Sequence, residues 1–274
     1  MIKVKMPPGA LTYKSAKALG DNGFELDDVV VTPPSHSTGS TKAEPIKIHA
    51  VTVENIDFDS IAKKAPPNFL KMRIQGIDIA KNPAAGIDLK ALAGIDKATA
   101  DIDLDYRIDA AKKTMTLNHL ALTLDGLGRL ELSMVLDGVT VSDVNKPDKA
   151  MNNATLRTAS LTYDDHSLLG VVLPAAAKSG GMDPAAVITM AKAFLEGMRK
   201  GQGEATGKVF DALESFIEDY KSPKGPLRLT FNPLPKTTVE TITKAKGADE
   251  VIKALGLTVD YAGTRKQAEV TVNH

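Results

Sequence analysis

The 274-residue sequence has no cysteine and no tryptophan. The first absence excludes disulfides, thiolate metal sites and a cysteine nucleophile together. The second, with aromatics at only 4% of residues, leaves too few flat rings for a surface that stacks bases or sugars. An excess of one charge is missing too: 34 Lys and Arg balance 34 Asp and Glu, so no overall field draws the chain to nucleic acid. Nor does any run approach the roughly 18 consecutive apolar residues that cross a bilayer as a helix, and no integral membrane segment is expected. The opening residues lack the basic, apolar and small-residue order of a leader, which leaves open one removed before Met1.

Catalytic motifs are equally scarce. There is no Gly-x-Ser-x-Gly elbow, no phosphate loop and no His-Glu-x-x-His pair. The glycines of Gly201–Gly207 (GQGEATG) have the wrong spacing for a dinucleotide fingerprint and follow a helical pattern, so they read as a linker. No cofactor is implied.

What the chain does have is Leu, Ile, Val, Ala and Met in two rhythms. Leu11, Ser15, Ala18 and Leu19 fall at helical spacing before Gly20, and Phe24–Thr32 then reads as a strand ending at Pro33-Pro34. Ser35–Glu44 is small and polar throughout, the composition of a mobile loop. From Ile46 to about Asp165 apolar and polar residues alternate over segments of some ten residues, the period of antiparallel strands. Asp125-Gly126 and other short connections predict a meander.

The alternation slips phase in three segments: twice within Ile46–Phe58, once at Gln75-Gly76 and once at Asn118-His119. A slip should turn the apolar set outward unless an extra, bulged residue restores the facing and bends the strand. Bulges in neighbouring strands predict a curled sheet, a trough or half-barrel with an apolar concave side.

After Leu168 the period becomes helical. Asp183 before Pro184 is an N-cap pattern, and Val187, Met190, Ala191, Phe194, Leu195 and Met198 make one face. A second stripe follows with Val209, Phe210, Leu213, Phe216, Ile217 and Tyr220. The expected architecture is α+β, a single elongated domain: a long curved antiparallel sheet with an inserted helical hairpin covering it. Residues 1–45 supply a helix, a strand and a mobile loop, 46–167 the meander, 168–225 the hairpin, and 226–274 returning strands with short helices at Val239–Lys244 and Asp249–Leu255 and a last strand at Ala268–Val272.

Three constellations invite chemistry. Asp101, Asp103 and Asp105 stand at alternate positions, so they share one strand face about 7 Å apart while Ile102, Leu104 and Tyr106 face the other way. A calcium loop would need Gly and Glu where Tyr106 and Lys112 stand, so the row reads as a wet face that lysines or arginines on the next strand would pair. The histidines His36, His49, His119, His166 and His274 lie too far apart in sequence for a ligand motif, and no metal site is expected. Tyr163–Ser167 (YDDHS) groups Asp164, Asp165, His166 and Ser167, yet adjacent side chains on a strand point apart, and an ordinary polar strand end is the expectation. A hydrolase built on Asp164 and Asp165 would require a polar cleft that brings a second acid or base to them.

The remaining feature is apolar. Leu117, Leu122, Leu132 and Met134 on the sheet, with Met190, Phe194, Met198, Phe210, Leu213 and Phe216 on the helices, are the candidate lining of a hydrophobic ligand site. The same stripes would equally complete a packed core.

The meander Ala100–Val139 (ADIDLDYRIDAAKKTMTLNHLALTLDGLGRLELSMVLDGV), followed by Ala154–Gly170 (ATLRTASLTYDDHSLLG), resembles the repeated amphipathic strands of AsmA-like bacterial envelope proteins. The later PLRLTFNPLPKTTV and GADEVIKALGLTVDYAG are similar to C-terminal parts of proteobacterial secreted proteins of that look. The resemblance is one of rhythm and carries no functional residue across. It implies a periplasmic protein, its signal peptide removed, with a curved β structure and the lipid handling of tubular lipid-binding proteins. The expected function is non-enzymatic binding or transport of a lipid or other hydrophobic molecule. The alternative is a structural module that meets an envelope protein partner through a sheet edge or helix face.

Overall fold

The computed structural model describes residues 10–32, 45–79, 94–139, 154–235, 237, 242 and 244–264. Among them, eleven strands form one open antiparallel sheet. In chain order these are β1 (Leu11–Thr12), β2 (Ser15–Leu19), β3 (Gly23–Val31), β4 (Ile46–Ile56), β5 (Phe69–Asp78), β6 (Thr99–Asp109), β7 (Thr114–Leu124), β8 (Gly128–Asp137), β9 (Thr155–Asp165), β10 (Leu227–Phe231) and β11 (Leu257–Tyr261). From β3 to β11 every strand pairs with the next in sequence, while β1 and β2 both pair β3 at the first edge. Where the connection is short it leaves no room to cross over: between β7 and β8 only Asp125–Leu127 turn the chain, with Gly126 at φ 68°.

Bulges occur at three of the four phase slips. On β5, Gln75 and Gly76 together oppose Asp101, and the register moves by one between Ile74 and Ile77. On β7, Asn118-His119 shifts the register against both β6 and β8. A third bulge falls between Val53 and Asn55 on β4, and a fourth at Arg157 on β9 that the alternation does not announce. The earlier slip in β4, between Ile48 and Val51, shows no register shift against β3; there His49 lies across from Asp28, whose φ is 48°.

The expected N-terminal helix is instead strand β2. Four of its five residues are exposed and only Leu19 is half-buried, so no strong apolar period marks one face. Gly20 does adopt a left-handed φ of 60°, but as the first residue of the turn into β3 and not as a helix cap. The loop Ser35–Glu44, the strand Ala268–Val272 and most of Val239–Lys244 lie outside the described residues.

Five helices are described: α1 (Phe58–Ala62), α2 (Leu168–Ser179), α3 (Pro184–Arg199), α4 (Glu204–Glu218) and α5 (Ala248–Leu255). The segment expected to be a hairpin thus holds three helices. The first runs through Pro174, which conceals it in the sequence. Asp183 caps α3, accepting from the Ala185 N–H at 2.7 Å. Asp249 of α5 accepts the Gly203 N–H at 2.8 Å, which docks α5 on the start of α4. Helix α4 packs on β11, and α3 packs on α4. Ala212 and Phe216 of α4 are buried with Leu227 and Tyr261, and Phe216 meets Tyr163 and Tyr261 edge-on at 5.9 and 5.2 Å between centroids. A second, smaller cluster forms around Ala98 and Leu127.

Candidate functional site

Residues paired in register across an antiparallel sheet share a face, and bulges decide whether that facing persists along each strand. Here it persists. One row runs Leu26, Val51, Ile74, Ile102, Leu122, Leu130, Tyr163, Leu227, Tyr261 from β3 to β11. The next runs Phe24, Val53, Met72, Leu104, Leu120, Leu132, Leu161, Leu229, Val259 over the same nine strands. A third continues from Ile56 and Leu70 through Tyr106, Leu117, Met134 and Ala159 to Phe231 and Leu257. Without the extra residue at Asn118-His119, Leu117 would face away from Leu120 and Leu122.

The opposite face is polar. Glu25, Thr52, Arg73, Asp103, Ala121, Glu131, Thr162, Arg228 and Asp260 make its central row. The aspartates of β6 find their partners on this side. Asp103 accepts from Arg73 Nε at 2.5 Å, Asp101 from the Gly76 N–H at 2.8 Å, and Asp105 from Asn118 Nδ2 at 3.2 Å. Lys71 pairs with Glu54, whose side-chain hydrogen bond and charge hold the ammonium above its ordinary value. Of the basic residues expected on the neighbouring strand, Arg73 pairs with the aspartate row and Lys71 turns to β4 instead. Among the described residues no group of three or more His, Asp or Glu could hold a metal ion.

An amphipathic sheet must cover its apolar face, and α4 does so only over β9 to β11. Further along the same row Leu122 and Leu130 remain 38% and 39% exposed, and Ile102, Leu104, Leu120, Leu132 and Met134 are half-buried. Leu117, by contrast, is buried.

Of the residues expected to line a ligand site, Leu117, Leu122, Leu132 and Met134 therefore share one face on adjacent strands. Phe216 and Leu213 meet the far end of that face, Phe210 is buried on the same helix, and Met198 is half-buried. Met190 and Phe194 do not face an interior: they are 61% and 66% exposed. Lys192 and Arg199 explain the rotation of α3. Lys192 bonds Glu218 and lies 3.5 Å from Glu214, and Arg199 lies 2.5 Å from Asp211, so this side of α3, with buried Leu195, is held on α4. Met190 and Phe194, on the other side, are turned out. Leu130, Leu161 and Tyr163 belong to the face as fully as the expected residues, and their parity in β8 and β9 was the available signal.

The YDDHS segment forms no relay. Ser167 Oγ donates to the Gly126 carbonyl at 3.0 Å, and His166 lies 3.4 Å from Asp164 at an exposed position. Asp165 is buried on the apolar side, where its Oδ1 accepts from the Tyr163 hydroxyl at 2.8 Å and the Leu169 N–H at 3.1 Å. Burial first, and then this carboxylate, push the Tyr163 hydroxyl well above its ordinary range. Asp165 thus ties β9 to the first turn of α2. The Leu127 carbonyl makes the same junction, accepting the N–H groups of His166, Ser167 and Leu168, each at 3.0 Å.

A second buried carboxylate, Asp57, closes the β4–β5 connection. It accepts from the Ser60 N–H and hydroxyl at 3.0 and 2.6 Å and from the Asn68 N–H and Nδ2 at 3.1 and 2.7 Å. Burial pushes this carboxyl up, but the four donors outweigh it and hold it well below the ordinary range. Both carboxylate oxygens are engaged by neighbours, Oδ1 by one donor and Oδ2 by three, which marks a structural clasp.

Residues 121–262, just over half of the chain, match a family model described as an uncharacterized protein. The chain belongs to that family. The family segment begins within β7 and ends just after β11, so it contains the helices α2 to α5 and the end of the apolar face that α4 covers, together with Leu122 and Leu130. The rows themselves extend beyond it, across β3 to β6. No curated protein matches the sequence. Among the described residues no helix is long and apolar enough to cross a membrane.

Proposed function

We propose that the protein is a non-enzymatic carrier that lays the aliphatic part of a lipid along the apolar face of its sheet, in the bacterial cell envelope. The observation that carries this reading is the pair Leu122 and Leu130: they sit at the centre of a nine-strand apolar row, yet each leaves more than a third of its surface exposed. Apolar rows are a costly surface to leave against water, and around Leu122 and Leu130 the neighbours Ile102, Leu104, Leu120 and Leu132 are aliphatic, which suits an acyl chain. Four bulges increase local twist and bend, which favours a trough over a flat sheet, with the helical layer as a cover at one end. The resemblance to AsmA-like and tubular lipid-binding proteins supports both the ligand class and the compartment.

The test is native mass spectrometry of the protein purified from a Gram-negative host, with organic extraction of the same sample, followed by titration with a fluorescently labelled phosphatidylcholine. Co-purifying lipid and saturable uptake that Leu122→Glu with Leu130→Glu abolishes are the expected results. An empty protein that takes up no labelled lipid would overturn the reading.

A further inference from the structure

The helical layer exposes an apolar stripe that is separate from the sheet. Ala186, Met190, Ala193, Phe194 and Gly197 recur at helical spacing along the outside of α3, with Met182 just before its cap Asp183; all six are exposed, and none carries a charge. Phe194 and Met190 are the two most exposed large apolar side chains among the described residues, at 66% and 61%, and Met182 is 45% exposed. The ion pairs of Lys192 and Arg199 to α4 fix this orientation, so the stripe is what the fold turns outward.

We infer that this outer face of α3 is a docking surface for a lipid bilayer, which it meets with its axis in the membrane plane. Three observations favour a bilayer over a protein. The stripe is small: six residues, only three of them large, fall well short of the roughly 20–30 residues and 800 Å² per partner of a stable dimer. Its large members are two methionines and one phenylalanine, side chains that adapt to a fluid boundary. Lysines stand at both ends, Lys178 on the last turn of α2 and Lys200 at the end of α3, both exposed and neither ion-paired among the described residues, where they can meet lipid phosphates. Glu196, the one carboxylate of α3, lies off the stripe, one turn from Lys192 and Lys200. Since the whole chain is neutral, attraction to lipid is local, supplied by apolar contact and steadied by these two lysines.

This inference stands on α3 alone and does not require the sheet to hold a ligand. Flotation of the full chain with vesicles of phosphatidylcholine, alone and mixed with phosphatidylglycerol, tests it. Wild type is expected to float with both, more strongly with the mixed vesicles. Met190→Gln with Phe194→Gln, which keeps helix-forming residues on an exposed face, should lower vesicle affinity at least tenfold. Its thermal midpoint and its uptake of labelled phosphatidylcholine into the sheet should not change. Lys178→Gln with Lys200→Gln should remove most of the preference for phosphatidylglycerol. Wild type that stays unbound, or a double Gln variant that floats equally well, would overturn the proposal. So would a wild-type dimer in sedimentation equilibrium that the same variant dissolves, since that assigns the stripe to a second copy.

Discussion

The backbone N–H of Gly76 donates to the Asp101 carboxylate across the β5–β6 pair at 2.8 Å, at the point where the register shifts by one residue. Gly76 has φ 65°, and a Cβ there would come within 2.7 Å of the His49 Cβ on β4. Backbone conformation and a close neighbour both demand glycine. Gly76→Ala should therefore cost about 1–3 kcal/mol, read as a lowered urea midpoint with an unchanged slope. A variant as stable as wild type would show that the bulge tolerates a side chain.

Asp103 is satisfied by Arg73, whose side chain is half exposed. Such a pair contributes about 0.2–1 kcal/mol, so Arg73→Ala should barely move the melting temperature. With Arg73 intact, millimolar calcium or magnesium should not raise it either, because the carboxylate is already engaged. A saturable rise that Asp103→Asn removes would restore the metal reading of the aspartate row.

Leu122 and Leu130 allow the proposed lipid binding to be tested apart from the stability of the sheet. Since each is already more than a third exposed, Leu130→Gln should cost under about 1 kcal/mol, whereas buried Leu117→Ala should cost about 2–5 kcal/mol. On the proposed function, Leu130→Gln should still lower labelled-lipid uptake several-fold. Paired urea and uptake titrations on the two variants check both halves of the claim.

The sheet was legible because its segments alternate strictly enough for phase slips to stand out: at Gln75-Gly76 and Asn118-His119 the apolar parity flips, and bulges lie there. The bulge at Arg157 was hidden because the residues around it, Thr155, Thr158 and Ala159, blur the contrast between faces. Strand β2 was misread for a related reason. With four of its five residues exposed at the sheet edge, it carries no strong facing signal, so chance helical spacing prevailed. For α3 the stripe as read merged two sides, inward Leu195 with outward Met190 and Phe194. The ion pairs that set the helix's rotation join residues 12 to 26 positions apart, beyond the reach of a local period.

The Asp57 clasp predicts an acid dependence. A carboxyl held below its ordinary range contributes stability that is fully present above the unfolded value, about 3.9, and is lost as pH falls through the folded one. The stability gap between wild type and Asp57→Asn should thus be widest near neutrality and narrow as pH drops from about 5 towards 2. Urea midpoints across that range measure it; a gap independent of pH would mean that the lost hydrogen-bond geometry, and not the carboxylate charge, accounts for the effect.

Phe216 and Phe194 make opposite predictions from the same residue type, one on each of two packed helices. Phe216 is buried between Tyr163 and Tyr261, with its ring edge-on to both, and it joins α4 to the covered end of the apolar face. Truncation there leaves a cavity that the rigid strands β9 to β11 cannot close, so Phe216→Ala should cost about 3–5 kcal/mol. Phe194 presents most of its surface to solvent, and Phe194→Ala should cost under about 0.5 kcal/mol. If α3 were instead rotated with Phe194 inward, the second variant would lose several kcal/mol and Leu195→Ala little; chemical denaturation of the three variants decides between these rotations of the helix.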